Sequence, residues 1–451
     1  MLLSTRQPMK NHHPFSILLL ILLIIPGNEA FCPAGVKSNK VLSIVDSKRT
    51  TRVLNVHKND DDQAVDSTNN DLINRRGALI QSASVVASSL LVASGSMVPS
   101  AAYADDKLVE LIVSQQRLLE GLSAAPLRHI VITGANSGVG LAGAKLLTAA
   151  GHRVTLACRT QAKADAAAEK CREYAASAPD KFFKSRREGG IAVGAECDLA
   201  SMASIRSFAK SLQQKSKDLP IDSLVLNAGL AHGQNDATVY RTADGLEETI
   251  GVNHLGHFLL ANLMAPTLEA NNKKTSRLVL TASPVHDPTS GGGDVGLPAS
   301  LGTLQGMSGK DFEMVDGGAY NADKAYKDSK LCNILFMEEA ARRYNGKFTV
   351  NAFSPGLIAD PNGFFRNQNK GFSTIFNTIT KVVGVAESNE FGGSALAYMA
   401  VDPSVSDQSG GWYDSSPPGK HQLSKHDPSV EAQNINEQKQ LWDLSTKLVG
   451  L

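Results

Sequence analysis

Short apolar runs alternate with longer stretches of helical character from about residue 128 to the C-terminus. Each apolar run has the length of a buried β-strand, and the intervening stretches are Ala-rich or amphipathic. Alternation at this spacing predicts the α/β class, with a doubly wound parallel sheet in a single domain. The predicted strands are residues 128–133, 152–157, 191–197, 222–227, 277–282 and 348–353, and the predicted helices are residues 141–150, 162–176, 202–213, 253–269 and 325–344.

Two connections between these elements are longer than the others. One is the Gly- and Pro-rich stretch of residues 284–320, and the second is residues 359–385. Connections of this length inside a compact domain usually belong to binding surfaces. Six apolar side chains of the second connection could line a wide cleft, fill the core or face a membrane, and the pattern leaves these alternatives open: Phe364, Phe365, Phe372, Ile375, Phe376 and Ile379.

Three N-terminal segments have the composition of targeting signals. Residues 1–30 contain an apolar run at 17–25, which fits a signal peptide and is too short to span a bilayer. Residues 31–73 are transit-like, because positions 31–58 carry six Lys or Arg and a single acidic residue. Residues 74–104 begin with a paired Arg and end in Ala-Tyr-Ala, as twin-arginine signals do. Uncleaved anchors or membrane-lying helices are the alternatives, and the folded domain is predicted at residues 105–451.

Composition excludes several classes of protein. The 451 residues include 45 basic and 44 acidic side chains, a net charge of +1. A nucleic-acid binder needs an excess of basic residues to neutralise phosphates, so that class is not favoured. Five Cys with no Cys-x-x-Cys pair do not support a disulfide scaffold or a zinc site, and no metal is predicted.

A glycine-rich turn lies between the first predicted strand and the first predicted helix. The sequence TGANSGVG occupies residues 133–140. Glycine permits the tight turn and the close contact between helix and strand, and backbone N–H groups at the helix N-terminus attract an anion. A simple tight turn is the alternative, but the position between strand and helix favours a dinucleotide site. The residues predicted to bind the dinucleotide here are Gly134, Asn136, Ser137, Gly138, Val139 and Gly140.

Arg159 follows the second predicted strand, where enzymes that use NAD carry a carboxylate. The sequence here is Ala-Cys-Arg-Thr, and the next acidic residue is Asp165. A guanidinium can bind a 2′-phosphate through two hydrogen bonds, whereas a carboxylate would repel it. NADPH is therefore the predicted cofactor. An exposed Arg without a ligand is the alternative.

These motifs, taken in order and spacing, resemble the short-chain dehydrogenase/reductase family, whose fold is Rossmann-type. The resemblance covers residues 127–451. The Tyr-x-x-x-Lys motif occurs three times, beginning at Tyr103, Tyr320 and Tyr326. Tyr326 and Lys330 are preferred, because they open a predicted helix with an apolar face and four residues place both side chains on one side of it. The long stretch 284–320 is then an insertion before the catalytic helix.

The resemblance implies roles for individual residues. Lys330 would favour the phenolate of Tyr326 and hold the nicotinamide ribose, Asn253 would relay protons through water, and Ser283 would orient the substrate. The residues implied to contact the cofactor, besides the glycine-rich turn, Arg159, Tyr326 and Lys330, are Asp198, Leu199, Asn227, Ala228, Gly229, Pro355 and Gly356. Considered alone, Asn227 and Asn253 could equally cap helices or close turns.

Within this family, several stretches resemble the protochlorophyllide oxidoreductases. They include YRTADGLE at 240–247, AYKDSKLCN at 325–333, the insertion, and the C-terminal stretch 441–451. The resemblance implies light-driven hydride transfer from NADPH to C17 of the pigment, with a proton delivered to C18 by Tyr326. Leu357 stands where these enzymes usually carry a Cys. This departure favours the alternative, a reductase that works in the dark on another apolar molecule such as a carotenoid-derived or retinol-like alcohol or ketone. A third alternative is an inactive NADPH- or pigment-binding protein.

The N-terminal segments are similar to the bipartite leader of plastid proteins in algae with secondary plastids. We therefore expect a plastid protein associated with the thylakoid and a small-molecule substrate, with a tetrapyrrole favoured. The sequence does not indicate the side of the thylakoid membrane or the oligomeric state.

Overall fold

The computed structural model describes residues 118–122, 125–178, 190–234, 236–271, 276–358, 386–415 and 421–451. The three predicted targeting segments at residues 1–104 lie outside these residues. The connection at residues 359–385, with its six apolar side chains, also lies outside them.

Eight strands and eight α-helices are named here within the described residues. The strands are β1 (His129–Thr133), β2 (Arg153–Cys158), β3 (Ile191–Glu196), β4 (Ser223–Leu226), β5 (Arg277–Thr281), β6 (Thr349–Phe353), β7 (Gly411–Asp414) and β8 (Ser424–His426). The helices are α1 (Gly138–Ala149), α2 (Gln161–Ser177), α3 (Met202–Ser216), α4 (Glu248–Ile250), α5 (Gly256–Glu269), α6 (Ala322–Arg343), α7 (Asn389–Val401) and α8 (Ile435–Val449). A π-helical segment, Gly251–Leu255, joins α4 to α5.

The sheet confirms the predicted α/β class. Its strand order is β3-β2-β1-β4-β5-β6-β7-β8. The strands β1 to β7 pair in parallel, and β8 pairs antiparallel to β7. After β1, the chain adds β2 and β3 on one side of this strand. It then returns to the other side of β1, where it adds β4 and the strands that follow. A crevice opens at such a switch point, beyond the carboxyl ends of the strands.

Most predicted elements differ from the observed ones only at their ends, but two expectations about helices were wrong. The helix that carries Tyr326 does not open at Ala325; it begins at Ala322, because the side chain of Asn321 accepts a hydrogen bond from the Lys324 N–H at 2.8 Å. Asn253 does not open a regular helix. It lies inside the π-helical segment that precedes α5.

Two apolar layers cover the faces of the sheet. On one face α3, α5, α6 and α8 pack around side chains such as Phe258, Leu335 and Trp442. On the other face α1, α2 and α7 pack around Leu147 and Leu396. The C-terminal helix is fixed by the edge-to-face contact of Phe258 and Trp442, whose ring centres are 4.9 Å apart. No helix in the described part of the chain combines the length and the apolarity needed to cross a membrane.

Candidate active site

The residues predicted to form the site lie along one edge of the sheet. Because β1 to β6 are parallel, their carboxyl ends meet there, at the edge where the switch point between β1 and β4 opens. The glycine-rich turn follows β1, Arg159 follows β2, Asp198 and Leu199 follow β3, residues 227–229 follow β4, Ser283 follows β5, and Pro355 and Gly356 follow β6.

The glycine-rich turn has the shape that its sequence predicts. Gly134 and Gly138 have positive φ angles of 67° and 53°, which other residues rarely adopt. A Cβ atom on Gly140 would lie 2.6 Å from Nδ2 of Asn227 and 2.7 Å from the Gly134 carbonyl oxygen. Ser137 precedes α1 but its side chain does not cap the helix. The turn therefore presents the N-terminus of α1 and a hydroxyl that the helix does not use.

The end of β4 is attached directly to this turn. The hydroxyl oxygen of Thr133 accepts hydrogen bonds from the backbone N–H groups of Asn227 and Ala228, at 2.9 and 3.0 Å. Nδ2 of Asn227 donates to the Thr133 carbonyl at 3.0 Å. A Cβ atom on Gly134 would lie 2.8 Å from the Cα atom of Ala228. Asn227 caps no helix; its side chain joins the two loops.

The three residues at the adenine end differ in exposure. Arg159 is exposed and forms no ion pair with the described residues. The pKa of Glu248 is lowered mainly by its hydrogen bond with His232, and Arg159 lies close enough to lower it further. Asp198 is partly buried, and its carboxylate accepts a hydrogen bond from the Ala200 N–H at 3.1 Å. Leu199 has its side chain in the core, at 7% exposure. It can therefore face a nucleotide only through its backbone.

Tyr326 and Lys330 lie one turn apart on α6. The Lys330 ammonium nitrogen is 5.4 Å from the centre of the Tyr326 ring and donates to the Thr281 carbonyl at 3.3 Å. Burial lowers the pKa of Lys330 to about 8. Burial also raises the pKa of Tyr326, and a side-chain hydrogen bond from Ser283 opposes that rise. The phenol therefore carries its proton at neutral pH.

Asn253 lies beside this pair and is fully buried. Its side chain donates to the Leu230 carbonyl at 2.9 Å and to Oγ of Ser329 at 3.0 Å, and it accepts from the Leu230 N–H at 2.9 Å. A Cβ atom on Gly229 would lie 3.5 Å from the Asn253 amide oxygen and 3.7 Å from Nζ of Lys330. The amide of Asn253 and the ammonium of Lys330 thus face the same small space. Asn253 is not a helix cap.

Pro355 and Gly356 form the sixth loop of the site. Gly356 has a φ angle of 81°, and a Cβ atom there would lie 2.4 Å from Cγ of Glu387. The buried carboxylate of Glu387 accepts a hydrogen bond from Oγ of Ser415 at 2.9 Å and pairs with Nδ1 of His421. Leu357 is partly exposed next to this turn. The ionisable pair of Glu387 and His421 therefore supports the conformation of this loop. The sequence did not indicate this pair.

The second Tyr-x-x-x-Lys pair, Tyr320 and Lys324, has a different surrounding. The Lys324 ammonium contacts the carboxylates of Asp316 and Asp328, at 3.0 and 2.6 Å. It also donates to the Ser300 carbonyl at 2.7 Å. These contacts attach the stretch 284–320 to α6. Lys324 thus holds the insertion in place, while Lys330 faces the candidate site.

Several side chains joined to the site were not predicted from the sequence. Ser329 and His257 both contact Asn253, and Thr133 connects two loops. Spacing could have indicated His257, which lies four residues after Asn253. Cys332 is completely buried in the core. Among the described residues, His, Cys, Asp and Glu side chains do not gather in a group that could hold a metal ion.

Comparison with known proteins gives consistent matches. A family model described as short chain dehydrogenase matches residues 128–292. Protochlorophyllide reductase B, chloroplastic, from Oryza sativa subsp. japonica is 37% identical over 333 residues, which cover 71% of this chain and 77% of that protein. Protochlorophyllide reductase, chloroplastic, from Pisum sativum is 35% identical over 344 residues, which cover 74% of this chain and 80% of that protein.

One solved structure supports the fold. An uncharacterized protein from Mycobacterium Paratuberculosis superposes with a TM-score of 0.51 and 25% sequence identity, covering 73% of this chain and 97% of that one.

Proposed function

Because the chain belongs to the protochlorophyllide reductases of the short-chain dehydrogenase family, we propose that it reduces protochlorophyllide to chlorophyllide in a reaction driven by light. The chain is an NADPH-dependent oxidoreductase. The observation that carries the proposal is the arrangement of Tyr326, Lys330, Asn253 and Ser283 at the switch-point edge of the sheet, joined to the glycine-rich turn through the loop of residues 227–229.

The residues at the turn fit a dinucleotide. The close approach of Gly140 to Asn227 leaves no space for a side chain, and the hydroxyl of Ser137 is not used by α1. We assign the pyrophosphate to the N–H groups at this helix N-terminus and the 2′-phosphate to Arg159. Asp198, Leu199 and residues 227–229 would border the adenosine, and Lys330 and Pro355-Gly356 the nicotinamide half. When bound, NADPH supplies the hydride that is added at C17 of the pigment.

Tyr326 is the proposed proton donor to C18. The raised pKa of Tyr326 keeps its hydroxyl protonated until the proton is transferred to the substrate. The hydrogen bond between Ser283 and Tyr326 orients this hydroxyl. Lys330 provides a positive charge near the phenolate that remains. Once Tyr326 has given its proton to C18, a new proton must reach the phenolate. Asn253 is proposed to hold the path of this second proton, because its amide faces the same space as the Lys330 ammonium.

The insertion is proposed to form a wall of the pigment cleft. Lys327 donates to the Leu297 carbonyl at 3.0 Å, and Nζ of Lys324 to the Ser300 carbonyl, so the stretch 284–320 is attached to the helix of Tyr326. A wall attached to the helix of the proton donor would position a flat macrocycle relative to that donor.

The location of the chain follows from the same family. The relatives above are named as chloroplastic, which supports a plastid location. Association with the thylakoid, and the bipartite leader of an alga, are proposals that rest on the composition of residues 1–104.

One observation favours a second function. Leu357 follows the Pro-Gly turn, and an alkyl side chain there cannot donate a proton. A dark reductase of another apolar plastid molecule, such as a carotenoid-derived or retinol-like ketone, would need only the Tyr326 hydroxyl and the hydride.

A flash experiment separates these functions. The purified domain (residues 105–451) is mixed with NADPH and protochlorophyllide, and absorption is recorded before and after a flash, with an unilluminated sample as control. The proposal predicts a red shift on binding and chlorophyllide only after light. A shift without product would indicate a binding protein. Lack of any response to the pigment, together with dark oxidation of NADPH by a small apolar ketone, would favour the second function.

A further inference from the structure

A buried line of hydrogen bonds connects the glycine-rich turn to the helix of Asn253. Nδ1 of His257 is 3.0 Å from the Asn253 carbonyl oxygen, and Nε2 of His257 is 2.9 Å from the hydroxyl oxygen of Thr133. Thr133 is the last residue of β1 and immediately precedes Gly134. All three residues of the line are at most 1% exposed.

The chemistry of the atoms fixes the direction of each hydrogen bond. A carbonyl oxygen can only accept, so Nδ1 of His257 must carry the proton, and Nε2 of the neutral ring is then an acceptor. The Thr133 hydroxyl therefore donates to Nε2. The other acceptor near the Thr133 hydroxyl is the Val225 carbonyl oxygen, which is farther away at 3.4 Å. The neutral ring agrees with burial, which lowers the pKa of His257 to about 3.

Asn253 is thus held by hydrogen bonds at two places, its side-chain amide and its backbone carbonyl. The amide is held by Leu230 and Ser329, on the side of Lys330. The carbonyl is held by His257, inside a π-helical segment. Single-turn π-helical segments inside α-helices occur frequently at functional sites. The imidazole is the side chain that fills the gap between this carbonyl and the cofactor turn.

We propose that His257 is a positioning residue for the reaction, which holds the Asn253 carbonyl in place relative to Lys330 through its Nδ1–H, while the hydrogen bond from Thr133 to Nε2 keeps the ring in the tautomer that can donate to this carbonyl. The proposal rests on the proposed function, because it concerns the proton path to Tyr326. It assigns His257 no contact with NADPH or pigment.

Two variants of similar size separate the two hydrogen bonds of the ring. In His257→Asn, the amide nitrogen takes the place of Nδ1, so the bond to the Asn253 carbonyl is kept and the bond to Thr133 is lost. In His257→Gln, the amide lies near the place of Nε2, so the bond to Thr133 is kept and the bond to Asn253 is lost. We expect the Asn variant to retain photoconversion within about threefold, and the Gln variant to lose at least about tenfold, since small displacements in an active site have effects of this size. The NADPH dissociation constant should change less than about threefold in both.

His254 provides the matched control. It lies on the same π-helical segment and is equally buried, but its Nε2 bonds to Oγ of Ser445 at 3.0 Å on the C-terminal helix. His254→Asn and His254→Gln should both lower the thermal midpoint of unfolding, and the two variants should have the same rate of photoconversion. Equal losses in both His257 variants, or the same pattern at His254, would contradict the proposal.

A second measurement does not depend on the pigment reaction. In ¹⁵N-histidine spectra of the wild-type domain, with His257→Asn used for assignment, His257 should be a neutral Nδ1–H tautomer from pH 5 to pH 8. An Nε2–H tautomer or a charged ring would overturn the proposal. Wild-type protein that shows the expected tautomer but converts no protochlorophyllide would count against the proposed function alone.

Discussion

The ammonium nitrogen of Lys330 lies 5.4 Å from the centre of the Tyr326 ring, one turn farther along α6. Both residues are near the loops that follow β4 and β5, through Gly229, Thr281 and Ser283. The pair therefore faces the edge of the sheet where the glycine-rich turn lies.

Replacing Tyr326 tests the proton donor. Tyr326→Phe removes the only atom of this side chain that can give a proton, and we expect photoconversion to fall by at least about a hundredfold while NADPH still binds. Rates come from flash absorption and affinity from NADPH fluorescence.

Tyr320→Phe is the control for that variant. The Tyr320 hydroxyl is buried and has no hydrogen-bond partner among the described residues, so its removal should have little effect. If Tyr320→Phe abolished turnover and Tyr326→Phe did not, the assignment of the Tyr-x-x-x-Lys pair would be wrong.

The pH dependence of the enzyme should reflect Lys330. Since burial lowers the pKa of this ammonium to about 8, the charge near Tyr326 is lost as pH rises through that value. We expect kcat/KM, which reports ionisations of the free enzyme, to decline above pH 8. An alkaline limb that begins only near pH 10 would contradict the assignment.

The same ionisation has the opposite effect on stability. The ordinary pKa of Lys is 10.5 and the folded value is about 8, so between these values the unfolded chain binds more protons than the folded one. This group therefore makes the free energy of unfolding increase with pH in that window. Lys330→Met should lose this part of the pH dependence in denaturant titrations, and Lys324→Met should keep it.

Reversing the charge at Arg159 tests the choice of cofactor. Arg159→Asp should raise the dissociation constant of NADPH by about thirtyfold, the size of a lost charged hydrogen bond, and that of NADH by less than about threefold. Lys170→Asp makes the same change in charge at an exposed position on α2 and should alter neither. Equal losses for the two nucleotides would exclude the contact with a 2′-phosphate.

A methyl group at Gly140 tests the close packing of the turn. The new Cβ would lie 2.6 Å from Nδ2 of Asn227, so Gly140→Ala should lower the free energy of unfolding by about 1–3 kcal/mol and raise the NADPH dissociation constant by about tenfold. Gly309→Ala places a Cβ with nothing within 4 Å and is the control. Normal NADPH binding by Gly140→Ala would show that the loop accommodates the atom.

The sheet and the order of the site loops could be predicted because local patterns determine them. Apolar runs of strand length located β1 to β6, and parallel strands bring their carboxyl ends to one edge. The strands β7 and β8 read Gly-Trp-Tyr-Asp and Ser-Lys-His, which contain no apolar run of strand length, and α7 and α8 were not identified.

Contacts between distant parts of the chain could not be predicted. The bond between His257 and Thr133 joins residues 124 positions apart, and Glu387 supports Gly356 only once α7 has packed on the sheet. Asn321 carried a local signal, since Asn is a frequent N-cap, and considering it would have placed the start of α6 correctly.

Under the proposed function, this chain transfers hydride from NADPH to a tetrapyrrole beside Tyr326. The most direct measurement uses NADPH with both hydrogens at C4 of the nicotinamide replaced by deuterium, one flash, and mass and NMR analysis of the pigment. We expect one deuterium at C17 of chlorophyllide in the illuminated wild type, no labelled product in the dark, and at most about a hundredth of that product in Tyr326→Phe. Unlabelled chlorophyllide, or labelled chlorophyllide formed in the dark, would contradict the proposed function.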